Sequence, residues 1–344
     1  SGALWQAAML GAPSAPLPSK EYLERARNAN PSSPLSPDPA VLDALKLGSK
    51  SSATPTQSGI NAPLVRAYEV WPTRNVFCCA GHCMTGPVDD AGPNTCAWLT
   101  MLIPMALFFY VWGEHILTQS ELPMLAVITA CFSASIIFLL VVSFTDPGIL
   151  PRNPDPQAHK QQQPPVYRNR VDEDGNVVTD TWCSTCLIYR PPRASHCADC
   201  DNCVRDFDHH CPFTRNCIGA RNYGFFICFL VSISLSLGAL IVSCMLLPQQ
   251  ARPDQPLLNS ALLAFSIVMA LMLWGFTGYH LSLVIGGLTT KEHMKGRKHG
   301  AKRITVGQRC CPISPSQLPD PRRLVPDVRS KPPARVPVVS LEQL

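Results

Sequence analysis

The sequence predicts an α-helical membrane protein with four transmembrane helices and a cytosolic, cysteine-rich, two-zinc domain between helices 2 and 3. Three observations predict it: four long apolar blocks, an uneven distribution of Lys and Arg around them, and a dense group of cysteines and histidines after the second block. Hydrophobic residues make up 46% of the 344 residues and charged residues only 15%.

The four apolar blocks each exceed the ~20 residues that a helix needs to cross a bilayer. The second and third contain no charged residue, and among Asp, Glu, Lys, Arg and His the fourth contains only His280. Long buried helices of a soluble protein are the alternative, which the length and lack of charge disfavour. The blocks cover residues 96–117, 122–144, 223–247 and 257–288.

Lys and Arg are distributed unevenly around these blocks. None lies between the first and second blocks and only Arg252 between the third and fourth, whereas the central loop and the segment after the fourth block are rich in both. Cytosolic segments carry such an excess, so we expect the termini and the central loop in the cytosol. In that reducing compartment the sixteen cysteines are expected to be metal ligands, reactive thiols or lipid-attachment sites rather than disulfides.

Composition divides the rest of the chain. The N-terminal tail is rich in Pro, Ser and Ala and is expected to be disordered. The stretch RNRVDEDGNVVTDTWC alternates around an Asp-Gly pair and predicts a short β-hairpin. The expected organisation is a disordered tail (1–65), a cytosolic juxtamembrane segment (66–95), helices 1 and 2 (96–144), a cysteine-rich zinc domain (145–222), helices 3 and 4 (223–288) and a cytosolic C-terminal segment with a Pro-rich tail (289–344).

The cysteine-rich loop offers more metal ligands than two zinc sites need. Two Cys-x2-Cys pairs, which begin at Cys183 and Cys197, have a spacing that places two thiolates at adjacent corners of a tetrahedron. Two closed sites use eight ligands. Because His209 and His210 are neighbours, they tend to point in different directions, so one histidine and one cysteine are surplus. The ten residues are Cys183, Cys186, His196, Cys197, Cys200, Cys203, His209, His210, Cys211 and Cys217.

The surplus histidine and cysteine lie beside Asp208, and these three residue types together can form a nucleophilic site. A carboxylate can orient an imidazole, the imidazole can take the proton of a thiol, and the thiolate is then a nucleophile. A neighbouring imidazolium also lowers the pKa of a cysteine. The alternatives are a further metal ligand or an inert thiol.

The cysteine-rich loop resembles that of the DHHC protein S-acyltransferases, or palmitoyltransferases. The motif is C-x2-C-x9-HC-x2-C-x2-C-x4-DHHC-x5-C, running from Cys183 to Cys217. The resemblance covers residues ~96–292 and extends to the DPG of residues 146–148, the RPPRASHC before the second zinc pair, the RNY of residues 221–223 and the TTKE of residues 289–292.

The resemblance implies a ligand set and a role for each residue. One zinc site would use Cys183, Cys186, His196 and Cys203, and the other Cys197, Cys200, His210 and Cys217. Cys211 would be the acylated nucleophile, His209 its base and Asp208 the orienting carboxylate. The family also implies supporting roles for Thr289, Thr290, Glu292 and Asn222.

The expected reaction is two-step transfer of a long-chain acyl group from acyl-CoA, typically palmitoyl-CoA, to cysteines of substrate proteins. Arg190 and Arg193 are the first candidates for the CoA phosphates, with Arg215 and Arg221 after them. Phe213 stands where the family usually has Trp, so we expect a differently shaped acyl pocket with catalysis retained.

Peripheral motifs add further expectations. The segment RNVFCCAGHC (residues 74–83) resembles the RNxFCC found in a subgroup that includes acyltransferases of Ras-type GTPases. Its cysteines predict anchoring or self-acylation rather than a third metal site, and Cys310 and Cys311 are self-acylation candidates, with a buried structural pair as the alternative. Expected partners are the lipid bilayer, substrate proteins and an accessory subunit, with no nucleic acid. The expected location is the Golgi or endoplasmic reticulum membrane.

Two other functions fit the sequence less well than acyl transfer. A membrane-anchored zinc module, such as a RING-like ubiquitin ligase, orders its Cys and His differently and does not produce DHHC. A transporter would need charged or broken helices in the membrane, and these blocks offer little beyond His280.

Overall fold

The computed structural model describes residues 63–118, 122–153, 164–172, 175–247, 256–296, 305–307, 316 and 318–326. Val65–Val325 form one compact unit, and the other unit, mainly Ala3–Leu64 and Pro326–Leu344, lies almost entirely outside the described residues. Residues 1–62 of the expected N-terminal tail (1–65), Cys310 and Cys311 also lie outside them.

Within the described residues, four helices are long and apolar enough to cross a membrane, as predicted. Helix α1 begins at Ala91, five residues before the first apolar block, because a short 3-10 turn at Val88–Asp90 leads directly into it. The other three begin and end within about two residues of their blocks. The helices are α1 (Ala91–Thr118), α2 (Leu122–Phe144), α3 (Tyr223–Leu246) and α4 (Pro256–Gly286).

The helices form a bundle in which α3 packs between α2 and α4, and α1 packs mainly against α4. Buried polar pairs join neighbouring helices: Trp112 Nε1 donates to Asn259 Oδ1 at 2.8 Å, and the Ser234 and Thr277 hydroxyls are 2.9 Å apart. Polar side chains in a membrane need such partners because lipid offers none. They connect α1 to α4 and α3 to α4.

Short antiparallel strands form the domain between α2 and α3. The strands are β4 (Ile149–Leu150), β5 (Tyr167–Val171), β6 (Val177–Cys183), β7 (Ile188–Arg190), β8 (Ser195–Cys197), β9 (Asn202–Val204), β10 (His209–Cys211) and β11 (Asn216–Ile218), and β1 to β3 precede α1. The predicted hairpin is confirmed: β5 pairs with β6, and Gly175 occupies the turn with a φ of +84°. Two three-stranded sheets have the orders β4-β9-β8 and β5-β6-β7, and β10 pairs with β11.

Segments outside this domain cover it from both ends of the chain. The juxtamembrane segment contains β1 (Leu64–Arg66) and the hairpin of β2 (Val76–Cys78) and β3 (Cys83–Thr85). Near the other end lie α5 (Thr290–Lys295) and β12 (Leu324–Pro326). The Ala67 N–H donates to the Arg323 carbonyl at 2.9 Å.

Three polar side chains fix the domain to the helix ends. Asn216 Nδ2 donates to the carbonyls of Val142, Ser143 and Thr145 at the end of α2, where carbonyls have no partner within the helix. Asn222 Nδ2 donates to the Cys217 carbonyl at 2.8 Å. The Asp146 carboxylate accepts from Arg221 Nη1 at 2.7 Å. The end of α2 and the beginning of α3 are thus held against the cysteine-rich loop.

Candidate active site

Eight of the ten candidate ligands form two groups of four. In each group all the donor atoms lie within 4.8 Å of one another. His196 Nδ1 is 3.4 Å from Cys186 Sγ, and His210 Nδ1 is 3.5 Å from both Cys200 Sγ and Cys217 Sγ. The groups are Cys183, Cys186, His196, Cys203 and Cys197, Cys200, His210, Cys217. They are the two sets that the family resemblance implies.

The distances within each group fit a tetrahedral zinc ion. With Zn–S near ~2.3 Å and Zn–N near ~2.0 Å, the ligand atoms of a tetrahedron are roughly 3.5–3.8 Å apart. The observed separations, 3.4–3.8 Å from His196 Nδ1 to the three sulfurs of its group and 3.5 Å between the Cys200 and Cys217 sulfurs, match that range. Three thiolates with one imidazole make a closed structural site.

A carboxylate is hydrogen-bonded to the second ring nitrogen of His210, and another carboxylate lies near that of His196. His210 Nε2 is 2.8 Å from Asp90 Oδ2, and His196 Nε2 is 3.6 Å from Asp201 Oδ1. A carboxylate on the second ring nitrogen fixes the tautomer that presents the first nitrogen to a metal. Sequence reasoning missed both carboxylates. Asp90 is 120 residues from His210, so no local motif could have identified it.

Strand alternation explains why neighbouring histidines separate. Successive side chains of a strand point to opposite faces, and residues 209–211 form β10, paired with β11 in the register His210↔Cys217. His210 and Cys217 therefore lie together in one metal group. His209 and Cys211, two positions apart, share the other face of the strand. The structure brings Asp208, His209 and Cys211 together outside both groups of four.

Asp208 is held by two segments that are far apart in the sequence. Its carboxylate is 2.8 Å from His209 Nδ1 and accepts from the Thr290 hydroxyl at 2.6 Å and the Thr290 N–H at 3.0 Å. The side chain is buried, with 2% of the residue exposed. Because Asp208 holds Nδ1, His209 Nε2 is the ring nitrogen left for chemistry.

A capping box places Thr290. The Thr289 hydroxyl accepts from the Glu292 N–H and the Glu292 carboxylate accepts from the Thr289 N–H, which starts α5. Arg193 Nε is 3.0 Å from Glu292 Oε1, and both side chains are largely buried. The TTKE motif thus holds Asp208 through Thr290 and is itself held by Arg193.

His209 and Cys211 shift each other's proton affinity. Burial lowers the pKa of the His209 imidazole, but hydrogen bonding and the negative charges of Asp208 and Cys211 outweigh it and raise that pKa to about 9. Burial raises the pKa of the Cys211 thiol, but the hydrogen bond and charge of His209 outweigh it, and the thiol pKa falls below its ordinary value. This arrangement favours an imidazolium–thiolate pair.

Cys211 lies where the loop meets the helices. It belongs to an apolar cluster with Leu139 and Val142 of α2 and Phe226 and Leu230 of α3. Only 7% of the residue is exposed. The nucleophile candidate is therefore at the polar end of an apolar bundle, where a group with a polar head and a long apolar chain could reach it.

One further imidazole lies beside this group. His280 of α4 offers a ring nitrogen within 4.8 Å of an Asp208 oxygen and a His209 nitrogen. Its Nδ1 is 3.3 Å from the Tyr223 hydroxyl. His280 could be identified from the sequence as the titratable residue of the fourth block, but its proximity to Asp208, His209 and Tyr223 could not be predicted.

The four arginines expected to bind the CoA phosphates differ in their surroundings. Arg193 is in the ion pair with Glu292, Arg221 is in the ion pair with Asp146, and Arg215 Nε donates to the Pro87 carbonyl at 2.9 Å. Arg190 lines a cavity of about 300 Å³ beside α5, which Lys291, Lys295, Arg193, Ser195 and Phe207 also line.

Phe213 has little cover from the protein. Its residue is 57% exposed, and its carbonyl accepts from Asn94 Nδ2 at 2.7 Å. It lies two positions after Cys211, at the level where α1 begins. The expected place of Phe213 in an acyl pocket stays a prediction.

The three juxtamembrane cysteines meet at the β2–β3 turn. Cys78 and Cys83 are paired across the hairpin, and the sulfurs of Cys78, Cys79 and Cys83 lie within 4.8 Å of one another. His82 is directed elsewhere, with Nδ1 3.4 Å from Arg322 Nη1. This turn is separate from the Asp208–His209–Cys211 group.

Comparison with known proteins points to one family. A family model described as DHHC palmitoyltransferase matches residues 177–297. Palmitoyltransferase ZDHHC18 of Mus musculus is 37% identical over 256 residues, which are 67% of this chain and 65% of that protein. Palmitoyltransferase ZDHHC8 of Drosophila melanogaster is 36% identical over 232 residues, 64% of this chain and 24% of that protein. The human ZDHHC8 is 35% identical over 254 residues, 68% and 32% respectively. The chain thus spans about a quarter to a third of the ZDHHC8 relatives' length.

Proposed function

This chain belongs to the DHHC palmitoyltransferase family, and we propose that it transfers a long-chain acyl group from acyl-CoA to cysteine thiols of proteins. The observation that carries the proposal is the Asp208–His209–Cys211 group, which is left over after two complete ligand sets have formed. A recruiting zinc module would need no such buried nucleophile. The subgroup of acyltransferases for Ras-type GTPases stays a hypothesis based on the RNVFCC segment.

In the first step the Cys211 thiolate attacks the carbonyl carbon of the acyl-CoA thioester. The C–S bond to CoA breaks, and the proton on His209 passes to the departing CoA sulfur. Cys211 then carries the acyl group as a thioester. The ordinary barrier to this attack is the protonated thiol, and the lowered pKa of Cys211 removes part of it.

In the second step a cysteine of the substrate protein gives its proton to His209. Its sulfur attacks the acyl carbonyl carbon, the bond to Cys211 breaks, and the Cys211 thiolate returns. Each step exchanges one thioester for another, so no nucleotide is consumed, and the kinetics are ping-pong. Asp208 stabilises the His209 cation that both steps require, and Thr290 keeps the carboxylate in place.

Two zinc ions, one in each ligand set, would act as structural ions that hold β8 to β11 in register. The His209–Cys211 face of β10 is aligned because His210, on the other face, is anchored to a zinc ligand set. The ions would have no vacant position for substrate, since four protein ligands close each site. The chemistry belongs to the side chains.

The apolar cluster around Cys211 supports a long acyl chain as the transferred group. Each CH₂ removed from water contributes about 0.8 kcal/mol, and Leu139, Phe226 and Leu230 offer an apolar surface beside the sulfur. Palmitoyl-CoA is the donor we propose. Its chain would enter among the helices, with Phe213 at the entrance, while the CoA head stays in the cytosol.

The cavity beside α5 is the place we propose for the CoA phosphates. Arg190, Lys291 and Lys295 bring three positive charges to its wall. Phe207 and Thr289, neighbours in sequence of Asp208 and Thr290, connect it to the catalytic group. Arg193 acts on Glu292 in this arrangement, so its role is to hold the TTKE segment rather than to bind phosphate directly.

Arg190→Gln is expected to raise the KM for palmitoyl-CoA about fivefold with little change in kcat, because one charge-assisted contact to phosphate is lost. The matched control is Arg168→Gln in the same sheet, whose guanidinium is bonded to Asp180 and does not line the cavity. Steady-state kinetics at fixed salt measure both variants. An equal KM for Arg190→Gln and wild type would remove Arg190 from the CoA site.

The cellular setting is part of the proposal. The Lys and Arg distribution favours a multi-pass protein with both termini and the DHHC domain in the cytosol, in the Golgi or endoplasmic reticulum membrane. Substrate cysteines would then lie in cytosolic segments close to the membrane. An accessory subunit is a further partner we propose, and Cys310 and Cys311 remain self-acylation candidates.

The defining experiment incubates the purified full chain with labelled palmitoyl-CoA in detergent micelles. We expect one labelled cysteine per catalytic cycle, label that neutral hydroxylamine releases, and label that chases onto an added cysteine peptide. Cys228→Ala is the control, since this cysteine is exposed on α3 and outside the catalytic group. A wild-type protein with two zinc ions and no label would favour a zinc module that recruits partners.

A further inference from the structure

His280 is an ionisable residue buried within a helix that is apolar enough to span a membrane. It is 1% exposed, and among Asp, Glu, Lys, Arg and His it is the only residue of α4. Burying an imidazole in apolar surroundings is unfavourable unless the ring is hydrogen-bonded. Ionisable residues inside membrane helices therefore tend to have a function.

The position of His280 links it to the catalytic group. Its ring centroid is 5.8 Å from that of His209, and one of its nitrogens lies within 4.8 Å of both an Asp208 oxygen and a His209 nitrogen. Its Nδ1 is 3.3 Å from the Tyr223 hydroxyl at the start of α3. Tyr223, His280 and the Asp208–His209 pair thus form one contiguous polar group.

Aromatic rings form the rest of the wall around His280. Phe226 and Phe276 contact it edge to face, with centroids 5.1 and 4.6 Å away, and Phe226 also contacts His209 at 5.3 Å. Among these apolar rings, His280 is the polar neighbour of the His209 imidazole on the side of the helix bundle. Thr290 holds Asp208 from the opposite end of the chain.

Building on the proposed acyl transfer, we propose that His280, oriented by the Tyr223 hydroxyl, is a positioning residue for His209. It presents a ring nitrogen to the Asp208–His209 pair and so holds the plane of the His209 ring. His209 Nδ1 then stays on Asp208 while Nε2 stays directed to Cys211. His280 does not contact the reacting sulfur and transfers no proton to it in this role.

A purely structural role for His280 makes a different prediction. If the ring only fills space and satisfies Tyr223, then any replacement that keeps the fold should leave catalysis intact. Positioning instead depends on the ring nitrogens, so an aromatic ring without them should fold and yet react slowly. A planar amide that restores a polar group should recover part of the rate.

The test compares His280→Phe and His280→Gln with wild type in the full chain. We expect His280→Phe to lower kcat about 30-fold with the KM for palmitoyl-CoA unchanged and two zinc ions retained. His280→Gln should recover at least threefold of that loss. A second readout is the rate at which iodoacetamide modifies Cys211, followed by mass spectrometry of its peptide, which should fall in parallel with kcat.

Thr277→Val is the matched control, because it removes another buried polar group from α4, one that bonds to Ser234 and does not contact His209. Its kcat should be near the wild-type value. If His280→Phe loses zinc, Tyr223→Phe tests the positioning role in its place. This variant removes a single hydroxyl and should lower kcat about threefold to tenfold.

Different results would overturn the positioning role of His280 and the proposed acyl transfer. A wild-type kcat in zinc-loaded His280→Phe, or in zinc-loaded Tyr223→Phe where the first variant does not hold zinc, overturns the positioning role while wild-type labelling remains. Absence of any acyl label on zinc-loaded wild type overturns the proposed acyl transfer itself. Equal losses in His280→Phe and Thr277→Val would also overturn the positioning role, since the effect would then be structural.

Discussion

Cys211→Ala is expected to abolish acyl label on the protein and to lower transfer to substrate at least ~10³-fold, with two zinc ions retained. The loss is complete because, in the proposed mechanism, Cys211 supplies the sulfur that holds the acyl group between the two steps. Zinc is retained because Cys211 belongs to neither ligand set. Removing its side chain leaves a small space at the end of the apolar cluster.

The measurement uses labelled palmitoyl-CoA, hydroxylamine treatment and zinc analysis on the same preparation. Cys228→Ala again serves as the control, since it removes an exposed cysteine from α3 and leaves Asp208, His209 and both ligand sets untouched. Hydroxylamine-sensitive label at the wild-type level in zinc-loaded Cys211→Ala would mean that another cysteine is the nucleophile. Cys78 and Cys79, outside the catalytic group, would be the first to examine.

Cys183→Ala is expected to lower the zinc content from two ions per chain to at most one and to abolish activity. Cys183 is a buried ligand of the first set, and a structural zinc ion loses most of its affinity when one of four ligands is removed. The second set is also affected, because Cys197 and Cys200 lie between His196 and Cys203 of the first. The two ligand sets are interleaved along the chain, so neither zinc site folds without the other.

Elemental analysis of the purified variant measures the zinc, and thermal unfolding of the detergent-solubilised protein should show a lower transition temperature. The control is Cys131→Ala, a cysteine of α2 that belongs to neither set. Two zinc ions and wild-type labelling in Cys183→Ala would contradict the ligand assignment. Loss of activity with both ions retained would instead assign Cys183 a direct catalytic role.

Several features could be predicted from the sequence because they depend on local patterns. The four helices follow from long apolar runs with few charged residues, and the β5–β6 hairpin follows from alternation around Asp-Gly. Ligand counting identified a surplus histidine and cysteine but left open which histidine was spare. The structure supplies the physical reason for their separation, since neighbouring residues of β10 point to opposite faces.

Other features depend on contacts between distant residues, and the sequence holds no pattern for them. Asp90 meets His210 across 120 residues, and His280 meets His209 only because α3 and α4 fold back beside the loop. Charge alone also did not distinguish Arg190 from Arg193: both line the cavity, and Arg193 is in addition paired with Glu292. Such distinctions require the neighbours of each side chain.

The bond between Asp208 and Thr290 has a consequence for the order of synthesis. The two residues are 82 positions apart, and both α3 and α4 lie between them. A growing chain therefore contains Cys211, the proposed nucleophile, long before the threonine that holds the Asp208 carboxylate has been translated. The complete site can form only after α4 has been made and has folded back. Under the proposed function, competence for acyl transfer would be tied to the completion of the last apolar helix, and chains that stall before Thr290 would lack it.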